Sequence, residues 1–376
     1  MHILVVAGHY PDASDPLEGI FERDQAHALA HAGHRVTYAA IDLRSARHKR
    51  ASGITHFSDG TMEVYTFSFP VGPIPTMLRL IGENGFRRLL GRICREQGTP
   101  DIVHAHFLGA ASLAAPAVSE RGIPFVITEH TSALNTAQPT DAQRRTMLRT
   151  YPKAAALLTV SSGLQQNILL ATGIRATVVP NIVDTEAFGS QKIKTERGET
   201  FRFAAGGGLI ARKGYDLVLS AMGTLTQKGY AMHLSVYGDG PERHALEELA
   251  SRLGIRESVD FCGRCSREEM AVGYADADAF VLASRRETFG VVYIEAMAAG
   301  LPVIATSCGG PEDFVTEKNG ILIPVDDEKA LTDAMEHMML HRADYDSAAI
   351  AAETKKQFAP EAIAARLTEI YQTVIK

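Results

Sequence analysis

Glu287 and Glu295 stand eight positions apart in a stretch whose neighbours suit them to bind hydroxyls. The apolar run Val281-Leu282-Ala283-Ser284 reads as the end of a strand. A polar turn carries Glu287, and a short helix follows, closed by Gly300 and Pro302. Glu287 and the amides of Thr288, Phe289 and Gly290 thus fall where a strand ends and a helix begins, with Glu295 roughly two turns further in. Open α/β sheets bind ligands at that edge, and a helix N-terminus favours anionic or hydroxyl-rich groups. Two carboxylates directed into one cleft would accept hydrogen bonds from paired hydroxyls, as a ribose or a hexose presents them. A snorkelling or salt-bridged glutamate would read the same in isolation. The surrounding motifs make the distinction.

The stretch Phe203-Ala-Ala-Gly206-Gly207-Gly208-Leu-Ile-Ala-Arg212-Lys213-Gly214 joins a strand, three glycines and two adjacent cations to a helix. Amide donors and a compact ammonium at such a turn suit a diphosphate. The order of a Walker A loop is absent. The first βα turn, Gly8-His9-Tyr10-Pro11 through Leu17-Glu18-Gly19, places Gly19 at a helix start, where a glycine permits close approach of a phosphate. It is not a GxGxxG fingerprint, which disfavours a nicotinamide enzyme. His104, His106, Glu129 and His130 all lie at strand ends in the first half. A neutral histidine there suits hydrogen bonding to a sugar hydroxyl or phosphate, and no third ligand completes a metal site with His104 and His106. Cys262 and Cys265 likewise lack a second pair. Asp276-Ala-Asp278 imitates a metal-binding DxD motif but precedes a buried strand, as a helix-end turn does.

These groups need rigid elements to hold them. Short β-branched runs alternate with longer amphipathic stretches, which predicts parallel sheets with helical crossovers. Strands are expected near 2–8, 35–41, 63–69, 102–106, 124–130, 157–161 and 176–180, then near 202–207, 233–238, 259–263, 279–284, 302–307 and 321–325. The polar, aperiodic 189–200 reads as a linker, so the expected organisation is a first domain over 1–188 and a second over 201–358. A closing helix over 359–376 carries a stripe of Ile363, Leu367, Ile370, Tyr371 and Ile375. Two doubly wound domains facing across a cleft is the expected α/β architecture. At 376 residues the chain has room for two cores, and 45% apolar with 22% charged residues describes a globular protein. The net charge is −6. The first 190 residues hold 17 basic and 16 acidic side chains, so the negative balance belongs to the second half and no nucleic-acid partner is expected. Four cysteines without a framework, no long apolar run and a first strand beginning at the N-terminus point to a cytoplasmic protein.

Taken together, the spacing from Glu287 to Glu295, the run Gly309-Gly310-Pro311-Glu312, the Lys213 turn and the Gly19 loop resemble the retaining GT-B glycosyltransferases of family 4, the EX7E or group 1 type. The resemblance runs over nearly the whole chain and implies a GT-B fold whose C-terminal helix crosses back to the first domain. It implies that Glu287 contacts donor-sugar hydroxyls, aided by the amides of Thr288, Phe289 and Gly290, and that Glu295 binds the ribose. Lys213 would hold the donor diphosphate, and the nucleobase would lie against Gly263-Arg264. His130 would sit by the reacting carbon, with His106 also on the acceptor side. One departure stands out: the family often has a second phosphate-binding arginine five residues before the lysine, and here that residue is Gly208, with Arg212 as a substitute.

The resemblance further implies hexosyl transfer from a nucleoside-diphosphate sugar, a UDP-sugar in the first instance or a GDP-sugar, with retention and without a metal or other cofactor. The acceptor would be a glycan, a lipid-linked or a small-molecule hydroxyl in cell-surface polysaccharide or glycoconjugate synthesis. The basic, amphipathic stretch 77–95 would suit peripheral contact with an anionic membrane. A GT-B phosphorylase, a sugar-nucleotide 2-epimerase and a non-catalytic sugar-nucleotide-binding subunit share the architecture and stand as alternatives.

Overall fold

The computed structural model describes residues 1–12, 18–44, 52–72, 75–135, 138–189 and 200–376, and counts of elements refer to those. The expected linker therefore lies largely outside the described residues, as do 13–17 of the first turn. The chain divides into two compact units, Met1–Ile182 with Pro360–Lys376, and Val183–Ala359.

The first unit runs β1 His2–Ala7, α1 Ile20–His31, β2 Arg35–Asp42, β3 Gly53–Asp59, β4 Met62–Ser68, α2 Pro75–Gln97, β5 Ile102–His106, α3 Phe107–Glu120, β6 Phe125–Glu129, α4 Asp141–Thr150, β7 Ala156–Thr159, α5 Ser162–Thr172 and β8 Thr177–Val178. Its sheet has the order β3-β4-β2-β1-β5-β6-β7-β8. Strands β1, β5 and β6 are buried along their whole length, which is why they read as apolar runs: helices cover both faces of a parallel sheet. One strand departs from expectation. β3 pairs antiparallel with β4 through the two-residue turn Gly60-Thr61, at the sheet edge and mostly exposed. Its lack of an apolar face hid it, although a glycine such as Gly60 at the first loop position is a hairpin signal.

The second unit runs α6 Thr185–Gly189, β9 Phe201–Gly206, α7 Tyr215–Gln227, β10 Met232–Tyr237, α8 Arg243–Arg252, β11 Val259–Gly263, α9 Arg267–Ala275, β12 Ala279–Val281, α10 Val291–Ala298, β13 Val303–Thr306, β14 Gly320–Ile323, α11 Glu328–His341 and α12 Ser347–Phe358. The order β11-β10-β9-β12-β13-β14 is parallel throughout. The last helix, α13 Pro360–Ile375, belongs to the first unit. Its Ile363, Ala364, Leu367 and Tyr371 join Ile3, Val5, Leu29 and Tyr38 in one apolar cluster. Among the described residues no helix is long and apolar enough to cross a membrane.

Candidate active site

In the second unit the site begins at the carboxyl ends of β9, β10 and β11, where the backbone turns pack directly on one another. The Gly207 amide donates to the Tyr237 carbonyl at 2.9 Å, and the Gly238 amide to the Gly263 carbonyl at 2.8 Å. A Cβ on Gly206 would lie 2.3 Å from the Tyr274 hydroxyl, so the first glycine of the expected cradle makes room for a tyrosine and not for a ligand. Gly208 and Arg264 are exposed at this edge, and Gly263 is half-buried.

The chain then makes a short 3₁₀ turn over Ala211–Lys213, and Gly214 (φ +67°) caps α7. The turn aims Lys213 back over Gly207, and its Nζ meets Glu287 Oε1 at 2.6 Å. Glu287 is 6% exposed; Ser284 Oγ, fully buried, donates to the same oxygen at 2.7 Å. Ser284 is held in turn by Thr306, whose hydroxyl donates to the Ser284 carbonyl. Arg285 fastens the whole arrangement. Its amide donates to the Arg212 carbonyl at 2.8 Å, and its guanidinium spans the Ala211 carbonyl, Asp216 and Asp326. Asp216 first, and Asp326 with it, hold the Arg285 guanidinium above its ordinary pKa. Neither Ser284 nor Arg285 stood out in the sequence, because most of the contacts that define them come from residues far along the chain, Thr306 for Ser284 and Ala211, Asp216 and Asp326 for Arg285.

The strand expected over 279–284 stops at Val281, and α10 begins only at Val291. Gly290 (φ +99°) is its cap, so Glu295 sits about one turn inside the helix and not two. The residues between form an extended bend with Thr288 half-buried at the edge. The Phe289 side chain faces inward onto Phe314 and Phe358. Its carbonyl lies against Gly310, where a Cβ would approach to 2.4 Å. Glu295 is 8% exposed and lies near Tyr274: burial, then the charge of Glu295, push that phenol well above its ordinary pKa. The structure thus joins Lys213 directly to Glu287, with Arg212 half-buried beside them and Glu295 near Tyr274 under Gly206. Asp276 and Asp278 lie at the opposite end of the sheet, where they pair with Arg202.

In the first unit, His130 follows β6 and sits 3.0 Å from His106 through their ring nitrogens. Burial lowers its pKa to about 4 against the opposing bond to Asn181, and lowers that of His106 far below the usual range. Both rings are neutral at pH 7. Glu129 does not face a substrate. Its carboxylate, raised by burial, accepts from the His130 and Thr131 amides, the Thr131 hydroxyl and the Tyr151 hydroxyl at 2.8 Å, which pins the loop that presents His130. Gly19 (φ +85°) caps α1 with its Cα against the His9 carbonyl. A groove of about 970 Å³ opens nearby, lined among others by Gly8, His9, Arg79, Arg145, Thr146 and Arg149.

The two sheets, parallel apart from the edge strand β3, and these strand-end loops place the protein in the GT-B class. It aligns with sucrose-phosphate synthase from Thermosynechococcus elongatus at a TM-score of 0.79 and 21% identity over 99% of this chain and 98% of that one. It also aligns with Anabaena Alr3699/HepE in complex with UDP, at 0.74 and 18% over 99% and 100%. The glycosyl transferases group 1 model matches residues 188–357 and the glycosyltransferase family 4 model residues 22–187, and the chain belongs to that family. Among curated relatives, sulfoquinovosyl transferase SQD2 of Arabidopsis thaliana is 29% identical over 65% of this chain and 51% of that protein. D-inositol 3-phosphate glycosyltransferase of Corynebacterium urealyticum is 36% identical over 45% and 42%. The match thus spans about half the length of such relatives or less.

Proposed function

We propose that the protein transfers a hexosyl group from a nucleoside-diphosphate sugar, UDP-linked in preference to GDP-linked, to an acceptor hydroxyl with retention at the sugar carbon. The observation that carries this reading is the Lys213–Glu287 pair at 2.6 Å on the carboxyl edge of the second sheet, followed by a helix bearing Glu295. A diphosphate entering this edge would draw the Lys213 ammonium from Glu287, freeing the carboxylate to accept hydroxyls of the sugar. Lys213, Arg212 and backbone amides would then stabilise the charge that develops on the leaving diphosphate, without need of a metal. His130, neutral and pinned by Glu129, would hydrogen-bond the sugar beside the reacting carbon. The departing phosphate would take the acceptor proton in a front-face attack.

On the acceptor side, the groove with Arg79, Arg145 and Arg149 favours a molecule carrying negative charge, such as a phosphate-bearing glycan or lipid. The relatives named for a sulfoquinovosyl transferase and an inositol-phosphate glycosyltransferase agree with glycoconjugate synthesis as the setting. The site is tested by separating transfer from binding. Glu287→Ala should lower transfer about a hundredfold or more while leaving nucleoside-diphosphate affinity within a few-fold, since a carboxylate does not bind phosphate. Lys213→Ala should lower both, with affinity falling about tenfold as one charge-assisted contact is lost. Calorimetric titration and a transfer assay read the two effects, and normal turnover in Glu287→Ala would overturn the assignment.

A further inference from the structure

Beneath His130 the first unit buries a ladder of imidazoles that the proposed chemistry does not use. His104 and His106 are fully buried, with ring centroids 4.4 Å apart, and the His106 and His130 rings follow at 5.2 Å. One atom faces both lower rungs. Gln25 Nε2 lies 3.5 Å from His104 Nδ1 and 3.4 Å from His106 Nε2, at the long end of hydrogen-bonding reach.

An amide nitrogen only donates, so each of those ring nitrogens must present a lone pair. A neutral imidazole carries one N–H, so each proton falls on the other nitrogen. His104 then donates from Nε2 to Thr128 Oγ1 at 2.7 Å, and its Nδ1 also accepts the Tyr371 hydroxyl of α13 at 2.6 Å. His106 donates from Nδ1 to His130 Nε2 at 3.0 Å. The proton of His130 is left on Nδ1, with Asn181 as a further side-chain partner. Burial keeps all three rings uncharged, with His104 lowered to about 3, so no rung escapes this logic by taking a second proton.

We infer that Gln25 is a positioning residue whose amide sets the direction of the whole ladder and thereby decides which nitrogen of His130 carries its proton. A half-turn of the amide would put an oxygen in the same place and reverse every donor, so the ladder has two self-consistent directions. The consequence for transfer rests on the reading of His130 given above. In the inferred direction the Nδ1 edge donates, which suits an oxygen of the sugar taking the place of Asn181. In the reversed direction that edge would be a lone pair able to accept a proton.

Long-range ¹H–¹⁵N spectra of the full chain labelled at histidine report which nitrogen of each ring is protonated. The expected pattern is Nε2–H for His104 and Nδ1–H for His106 and His130. Gln25→Glu replaces the donor with an acceptor and should reverse the ladder, with His104 at Nδ1–H and His106 and His130 at Nε2–H. Gln25→Met removes the donor but leaves His104 held by Tyr371, so only His106 and His130 should lose their single tautomer. Protonation of His130 at Nε2 in the native protein would overturn the inference, as would an unchanged pattern in both variants. The native spectrum decides the direction even where a variant does not fold. Transfer by Gln25→Glu should fall about tenfold in kcat with little change in the donor KM. A ladder that reverses with kcat unchanged would uphold Gln25 and remove His130 from the reaction, which separates the two claims.

Discussion

Glu22, the third residue of α1, is 5% exposed, and burial pushes its carboxyl up to about 7 from an ordinary value near 4.5. Its own backbone amide and His9 oppose that shift without cancelling it. A proton bound more tightly in the folded chain stabilises it fully below pH 4.5, and that contribution is lost as pH rises toward 7. The gap corresponds to about 3 kcal/mol at roughly 1.4 kcal/mol per pH unit. Glu22→Gln should match the native chain near pH 4.5 and exceed it in stability above pH 7, as urea unfolding at the two pH values would show. An equal difference at both would contradict the assignment. At this scale the sequence showed residue types and not their partners. Glu287, Lys213 and His130 were legible from motif position. Ser284, Arg285, Gln25 and Glu22 act through neighbours 3 to 81 positions away and carry no local signal.

Among the elements, the turn before α7 depends on one residue. Gly214 adopts φ +67°, and a Cβ there would lie 1.9 Å from the Ala283 carbonyl oxygen, a backbone atom that cannot swing aside. Gly33 has a similar φ of +87° but open space around it. Gly33→Ala should therefore cost about 1–2 kcal/mol, the ordinary penalty of the left-handed region. Gly214→Ala should cost several-fold more and displace Lys213, so thermal denaturation should show the larger loss there, together with lost nucleotide binding. Equal losses would mean that the turn relaxes. Helix α2 is the second case. It buries Phe86, Leu89, Leu90 and Ile93, and Arg79, Arg87 and Arg92 pair with acids. Met77, Leu80, Arg88 and Arg95 share its outer face, where Met77 and Leu80 are more than half exposed. Sedimentation with vesicles should show binding to anionic lipid that fades with salt and with Arg88→Gln and Arg95→Gln together; no binding at low salt would end the membrane proposal. Helix α10 and strand β12 came out shorter than periodicity predicts because Gly290 delays the helix, and an apolar run cannot mark where strand pairing stops.

For the molecule as a whole, alternating apolar runs and crossover helices were enough to predict parallel α/β sheets, and the buried central strands explain why. The edge strand β3 escaped because its exposed side chains leave no apolar pattern. The role of α13 was foreshadowed by its apolar stripe, which completes the core of the first unit. Neither the donor nor the acceptor is encoded at this level, since hexoses that differ by one hydroxyl need no different fold. The direct test of the central claim is release of nucleoside diphosphate from a panel of UDP- and GDP-sugars, with EDTA present throughout. Slow, selective release from one donor, abolished in Glu287→Ala, is the predicted result. Silence across the whole panel, or release that survives Glu287→Ala, would contradict it.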